Sequence, residues 1–269
     1  MHVYALSLEK GGCGKTALAI NIAAAFQQIG LRVLLIDLDA QASATHWLGV
    51  DSEALQADES VLGVLNDAMK NRVSAQSVRS RVRETDEGVH LLAAHGMMAS
   101  LPAQLSSAPL GGLFLLKQVF TDLAQATDTY DVVVLDLPPA RGPVLAMALA
   151  ASTRCLAPVQ PEDLVVRAIK ALITSVQQVQ ANGVNPDLQL SIIRNKYAPR
   201  SNGDRIFDQL LRDHYASQMV QAVFPIRAVL RDSAAMQQTV FRYTGTDATE
   251  VRALFLQLIE ELMVLDGRG

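Results

Sequence analysis

The chain has 269 residues, 50% of them hydrophobic, 19% charged and 5% aromatic, with a formal net charge of −4 and a pI near 5.7. The apolar fraction excludes an intrinsically disordered chain and is enough for a large core. The acidic average excludes a polycation that coats nucleic acid or anionic lipid along its whole surface. Two cysteines, Cys13 and Cys155, are too few to build a disulfide framework. Met1 to Lys10 lacks a basic segment followed by an apolar run and cleavage site, and the longest nearly apolar stretch, Pro143 to Ala151, falls far short of the roughly 20 residues that cross a bilayer. These features lead to the expectation of a cytoplasmic protein with no membrane partner.

In chain order, Val3–Leu8 reads as a buried strand and Lys15–Gln28 as a helix, followed by a strand at Val33–Ile36 and a helix at Ser60–Lys70. Residues 71–87, with Arg72, Arg79, Arg81 and Arg83, carry the least pattern and are expected to form a mobile surface segment. A strand at Val89–Leu92, a helix at Gly112–Ala126 and strands at Val132–Leu135 and Cys155–Val159 come next. Helix Glu162–Ala181, strand Leu188–Ile193, helix Gly203–Tyr215, strand Val220–Phe224 and an outer helix at Thr249–Val264 complete the chain. The strands are continuous apolar runs rather than alternating ones, which suits a sheet covered on both faces. The expected fold is α/β, a mostly parallel twisted sheet flanked by helices on both faces, in a single domain over residues 1–269.

The sharpest local signal is Lys10-Gly11-Gly12-Cys13-Gly14-Lys15-Thr16, placed between a predicted strand and a predicted helix. Glycines let the backbone wrap so that successive N–H groups face phosphate oxygens, and the helix N-terminus adds a favourable dipole. Lys15 places a point charge on the β- and γ-phosphates, and the Thr16 hydroxyl suits Mg²⁺. Asp37 and Asp39 end the second strand two residues apart, on one side, where they suit a hydrated Mg²⁺ and an attacking water. Asp136 ends the apolar strand Val132–Leu135 and reads as the acid that holds Mg²⁺ through water. Taken singly, such strand-end acids are equally caps or loop residues.

Lys10 is an extra lysine that an ordinary phosphate loop does not need. With it the loop resembles the deviant Walker A ATPases of the ParA/MinD superfamily, whose motif reads K-G-G-x-G-K-T. Asp37-Leu38-Asp39-Ala40-Gln41 resembles that family's D-x-D-P-Q, Asp136-Leu137-Pro138-Pro139 its D-x-P-P, and Pro158-Val159-Gln160-Pro161-Glu162 its P-V-Q-P-E turn. The resemblance implies a P-loop NTPase fold and ATP/ADP with Mg²⁺ as cofactors. It also implies a homodimer formed on ATP binding and hydrolysis that is slow without a partner. It assigns Lys10 to the phosphates of the facing subunit, Lys15 to those of its own, and Asp39 to the hydrolytic water. Asp37 falls in the metal shell with Thr16 and Asp136. It adds Gly11, Gly12, Cys13, Gly14 and Ala17 to the phosphate contacts, and Asn195 and Pro225 to the surroundings of adenine, although Asn195 equally suits a turn cap. Ala17, Ala40 and Ala42 depart from the family pattern, which has a second threonine after the lysine and a proline and a glycine after the second aspartate.

Within that superfamily, a MinD-like membrane anchor needs a basic amphipathic C-terminal helix, whereas the last helix here carries Glu250, Glu260 and Glu261 and leads into Asp266. An iron–sulfur reductase or an arsenite pump needs convergent thiols, and Cys13 and Cys155 read as small packing residues. Between Arg194 and Arg252, nine basic and six acidic residues make +3, which leaves −7 for the rest of a chain whose total is −4. Arg194, Lys196, Arg200, Arg227 and Arg231 are the candidate contacts to phosphates of nonspecific double-stranded DNA, and a solvated, salt-bridged face is the competing reading of the same charges. The ParA resemblance implies nucleoid association, segregation or positioning of a cargo, and a ParB-like partner on that cargo that stimulates hydrolysis. No helix-turn-helix segment precedes the loop, so operator-specific repression is not expected. The alternative is a MinD-like nucleotide switch that acts on a protein or membrane partner without DNA.

Overall fold

The computed structural model describes residues 1–108, 112–127, 129–162, 165–198 and 200–267. Its strands are β1 (His2–Leu6), β2 (Val33–Asp37), β3 (Arg83–Glu84), β4 (His90–Leu92), β5 (Val132–Asp136), β6 (Arg154–Val159), β7 (Gln189–Tyr197) and β8 (Met219–Pro225). Its helices are α1 (Lys15–Gln28), α2 (Ser43–Trp47), α3 (Val61–Met69), α4 (Ala75–Arg79), α5 (Leu101–Ser107), α6 (Leu115–Ala124), α7 (Pro143–Ala151), α8 (Val165–Ala181), α9 (Asn202–Tyr215), α10 (Ala228–Ala235) and α11 (Ala248–Leu265). The strands form one eight-stranded sheet in the order β3-β4-β2-β5-β1-β6-β7-β8, parallel throughout except where β3 meets β4.

Side chains on β1 alternate between two apolar layers, as strand geometry requires. Val3 and Ala5 join a core with Leu65 of α3, Phe120 of α6, Leu145 of α7 and Leu172 of α8. Tyr4 and Leu6 join a second core with Ile20 and Phe26 of α1 and Phe255 and Leu258 of α11. The rings of Tyr4 and Phe26 stack at 5.5 Å, and Phe224 meets Phe255 at 4.7 Å. Helix α1 lies between the sheet and α11, so it is apolar on nearly every side. No helix among the described residues is long and apolar enough to cross a membrane.

The runs expected as strands all contain strands, but two expectations need correction. Residues 71–87 are built into the fold rather than loose. They contain α4 and β3, Arg81 pairs with Asp58 and Asp67, and the buried Glu87 accepts from the Thr239 amide and hydroxyl. The apolar stretch Pro143–Ala151, for which no element was expected, is helix α7, with proline in the first turn where its missing N–H costs nothing. Strand β7 runs beyond Ile193 to Tyr197, with register shifts against β8 that its polar end accommodates. That extension carries Asn195 and Lys196 to the C-terminal edge of the sheet. There, beside β1, strand order reverses and the loops after β1, β2, β5 and β6 converge.

Candidate nucleotide-binding site

The loop from Lys10 to Gly14 leaves β1 and opens α1. Gly14 caps the helix with φ +90°, and a Cβ there would lie 2.4 Å from Asn195 Nδ2, so conformation and close approach both require glycine. Asn195 is buried and donates from Nδ2 to the Cys13 carbonyl at 2.8 Å. Lys196, itself at φ +55°, donates from Nζ to the Gly12 carbonyl at 2.5 Å. These two bonds occupy loop carbonyls that would otherwise repel an anion, which is what a phosphate-binding loop requires. Gly11 and Gly12 are exposed and meet no neighbour where a Cβ would stand, leaving room for a bound group. Thr16 and Ala17 are half-buried in the first turn of α1.

Lys15 is buried beneath the loop, where its Nζ donates to the Lys10 carbonyl at 2.9 Å and the Leu8 carbonyl at 3.2 Å. The Cys13 thiol is fully buried, which pushes its pKa up, and it donates to the Lys10 carbonyl at 3.3 Å. It packs the loop and is unavailable as a thiolate ligand.

Asp37 and Asp136 stand opposite each other in the β2–β5 register, both buried. Both oxygens of Asp37 are engaged: Oδ1 accepts from the Asp39 amide at 3.1 Å, and Oδ2 accepts from the Thr45 amide at 2.9 Å and the Thr45 hydroxyl at 2.8 Å. Burial nevertheless raises its pKa to about 6, against the lowering effect of those bonds. Asp136 differs in having no hydrogen-bond partner on either carboxylate oxygen. Burial, and next the charge of Asp37, push its carboxyl well above the usual range, while the Thr16 hydroxyl pulls it down. A buried pair of acceptors with nothing to accept from is costly unless a cation or its water shell supplies the partner. The donor set of Asp136 carboxylate and Thr16 hydroxyl, all oxygen, fits Mg²⁺. Asp39 is half-buried, with Oδ1 accepting from the Gln41 amide at 3.0 Å.

Lys10 forms an ion pair with Glu162 of its own chain, and the other oxygen of Glu162 accepts from Gln160 Nε2 at 2.6 Å. A second ion pair joins Glu9 to Arg141, the residue just before the Gly142 cap of α7. Sequence reasoning missed Thr45, Arg141 and the loop-holding role of Lys196. Each acts through a partner distant in sequence, and no local spacing marks it.

The structure corrects the proposed DNA set. Arg194 is 4% exposed; its guanidinium pairs with Asp208 at 3.0 Å and donates to the carbonyls of Val220 and Gln221 at 2.9 and 3.0 Å. It is a strand-to-helix brace that no DNA phosphate reaches. Lys196 is committed to the phosphate loop. Pro225 lies opposite Tyr197 and lines a cleft of about 540 Å³ with Arg200, Ile226, Arg227 and Glu250, and no phosphate-loop residue lines that cleft. Arg227 is bonded to Glu250 at 2.8 Å, Arg231 is 81% exposed in its side chain beside Asp232, and Arg200 is exposed.

A family model described as an AAA domain matches residues 1–190. The chromosome-partitioning ATPase Soj of Thermus thermophilus is 31% identical over 260 residues, covering 96% of this chain and 94% of that protein. The sporulation initiation inhibitor protein Soj of Bacillus subtilis is 26% identical over 243 residues, 90% of each. Among solved structures, cobyrinic acid a,c-diamide synthase from Mycobacterium smegmatis with bound ADP and magnesium is similar at 31% identity and a TM-score of 0.69, over 80% of this chain and 82% of that one. A Cyanothece McdA–ATP complex shares the fold at a TM-score of 0.82 over 97% and 96% of the two chains, with 17% identity. With the phosphate loop, the paired strand-end carboxylates and the parallel sheet in place, the chain belongs to this AAA-domain family, among the ParA/MinD-type P-loop ATPases.

Proposed function

We propose that this chain is a ParA-like partitioning ATPase that hydrolyses ATP to ADP and phosphate, pairs with a second copy when ATP is bound, and holds nonspecific DNA while it segregates or positions a cargo. The observation that carries the ATPase reading is Asp136: a buried carboxylate with both oxygens unpartnered, beside Thr16 and under a loop whose carbonyls are already held. Thr16 and Asp136 would hold Mg²⁺, which when bound would neutralise phosphate charge. Asp37, both of whose oxygens already accept hydrogen bonds within the chain, supports that shell by fixing Asp39 and α2. Lys15 leaves the carbonyls of Leu8 and Lys10 for phosphate oxygens, and Asp39 orients the attacking water.

DNA contact is assigned to Arg200, Arg227 and Arg231, because Arg194 is buried and Lys196, although exposed, is bonded to the phosphate loop. The relatives named for chromosome partitioning support the partitioning role; a cytoplasmic, nucleoid-bound location and a ParB-like partner that stimulates turnover belong to the same proposal. Helix α11 spends its apolar face on the sheet through Val251, Phe255, Leu258 and Leu262, which disfavours the membrane-anchor reading. The test is a fluorescent-ATP titration. Lys15→Ala should lose binding at least tenfold with the fold retained, and unchanged affinity would reject the site. Separately, wild-type protein should shift unrelated DNA duplexes at low salt only with ATP; no shift rejects the DNA role and leaves the ATPase.

A further inference from the structure

Beside the phosphate loop, two cations are each held by an acid of the same chain. Arg141 pairs with Glu9 and Lys10 pairs with Glu162. Glu9 adjoins Lys10 in sequence but is taken by Arg141, so Glu162 is the acid that balances Lys10. Its carboxylate is set by design of the turn: Gln160, 8% exposed, donates to one oxygen and leaves the other for the lysine. The Lys10 side chain is only 16% exposed in this arrangement. A lysine held in this way is not extended toward a second subunit.

The geometry points to Glu162 as the positioning residue that parks Lys10 in the monomer and sets the nucleotide-dependent threshold for pairing. The inference rests on the reading that Lys10 serves the phosphates of a facing copy. Pairing then exchanges a carboxylate for phosphates, and each subunit must break one partly exposed ion pair. Such pairs are individually weak, so the latch adjusts the equilibrium without blocking it. Breaking it beforehand should favour the dimer about two- to fivefold per subunit, or about four- to twenty-five-fold in the dimer constant. The carboxamide of Glu162→Gln keeps an acceptor for Gln160 and removes the charge.

Sedimentation velocity with AMP-PNP and Mg²⁺, over a protein concentration series, reads the dimer constant directly. Glu162→Gln should dimerise at lower concentration than wild type, Glu162→Asp should stay near wild type because the charge remains, and nucleotide affinity of dilute monomer should be the same in all three. An unchanged or weaker dimer in Glu162→Gln overturns the latch, as does an equal shift in Glu162→Asp. If wild type binds AMP-PNP and stays monomeric at every concentration, the pairing reading fails and the latch with it.

Discussion

One hydroxyl decides how the first strand-end carboxylate is held. Thr45 Oγ1 donates to Asp37 and accepts from the Ala94 amide at 2.9 Å, so it joins the loop after β2 to the end of β4. Thr45→Val keeps the shape, removes a bond from a buried carboxylate and orphans a buried amide, which should cost about 1–3 kcal/mol in urea unfolding with an unchanged m-value. It should also raise the Asp37 titration midpoint, read by carboxyl carbon-13 shifts, from a wild-type value near pH 6. The sign matters. A carboxyl whose folded pKa lies above its ordinary 3.8 binds its proton more tightly when folded, so its stabilising contribution is present below about pH 4 and is lost as pH rises toward 6. A wild-type midpoint below 4 would show that the Thr45 bonds outweigh burial. Asp37 was visible in the sequence as a strand-end acid, but Thr45 was not, because a threonine eight residues on becomes a partner only when the chain turns through α2.

At the scale of elements, buried polar side chains tie distant segments together where apolar patterning is silent. Asp266, just after α11, accepts from Arg154 Nη2 of β6 at 2.7 Å and from the Tyr4 hydroxyl of β1 at 2.8 Å, and Arg154 also donates to Ser191 of β7 at 3.0 Å. Both members of the ion pair are nearly solvent-free, with side-chain exposures of 6% and 2%. Asp266→Ala strands a buried guanidinium and should destabilise by about 3–5 kcal/mol, measured as a drop in the urea midpoint. A loss under about 1 kcal/mol would mean that water reaches Arg154 and replaces the carboxylate. The same principle explains what was legible. Continuous apolar strands and the long helices α1, α8, α9 and α11 follow from hydrophobic pattern, as does the loop between β1 and α1. The polar end of β7 does not, because Arg194, Asn195 and Lys196 are bonded to Asp208, Cys13 and Gly12, which tertiary folding alone supplies. The short helices α2, α4, α5 and α10 lack enough turns to show a period. Residues 71–87 gain their order from Val78, buried in the core, and from the Arg81 and Glu87 contacts, in elements too short to show a period.

For the whole molecule, the +3 stretch between Arg194 and Arg252 is not one surface. Folding spends Arg194 on Asp208 and on strand carbonyls, Lys196 on the phosphate loop, and Arg252 on the carbonyls of Val240 and Tyr243. Arg212 and Arg227 are paired with Asp208 and Glu250. What remains open toward a polyanion is sparse, and Arg231, with 81% of its side chain exposed, belongs to it. A monomer of this acidic chain therefore offers few phosphate contacts, and doubling them in an ATP-bound pair is the simplest way to gain useful affinity. Salt dependence reads the number of contacts directly, since each neutralised phosphate adds about 0.9 to the slope of log affinity against log salt. Arg231→Ala should lower that slope by about two for a pair, one contact per subunit, equally on unrelated duplexes. Asp232→Asn frees Arg231 from its neighbour and should raise affinity at low salt. A slope unchanged in Arg231→Ala would move the DNA face away from Arg231, and Arg200 after β7 and Arg227 after β8 would be the next positions to test.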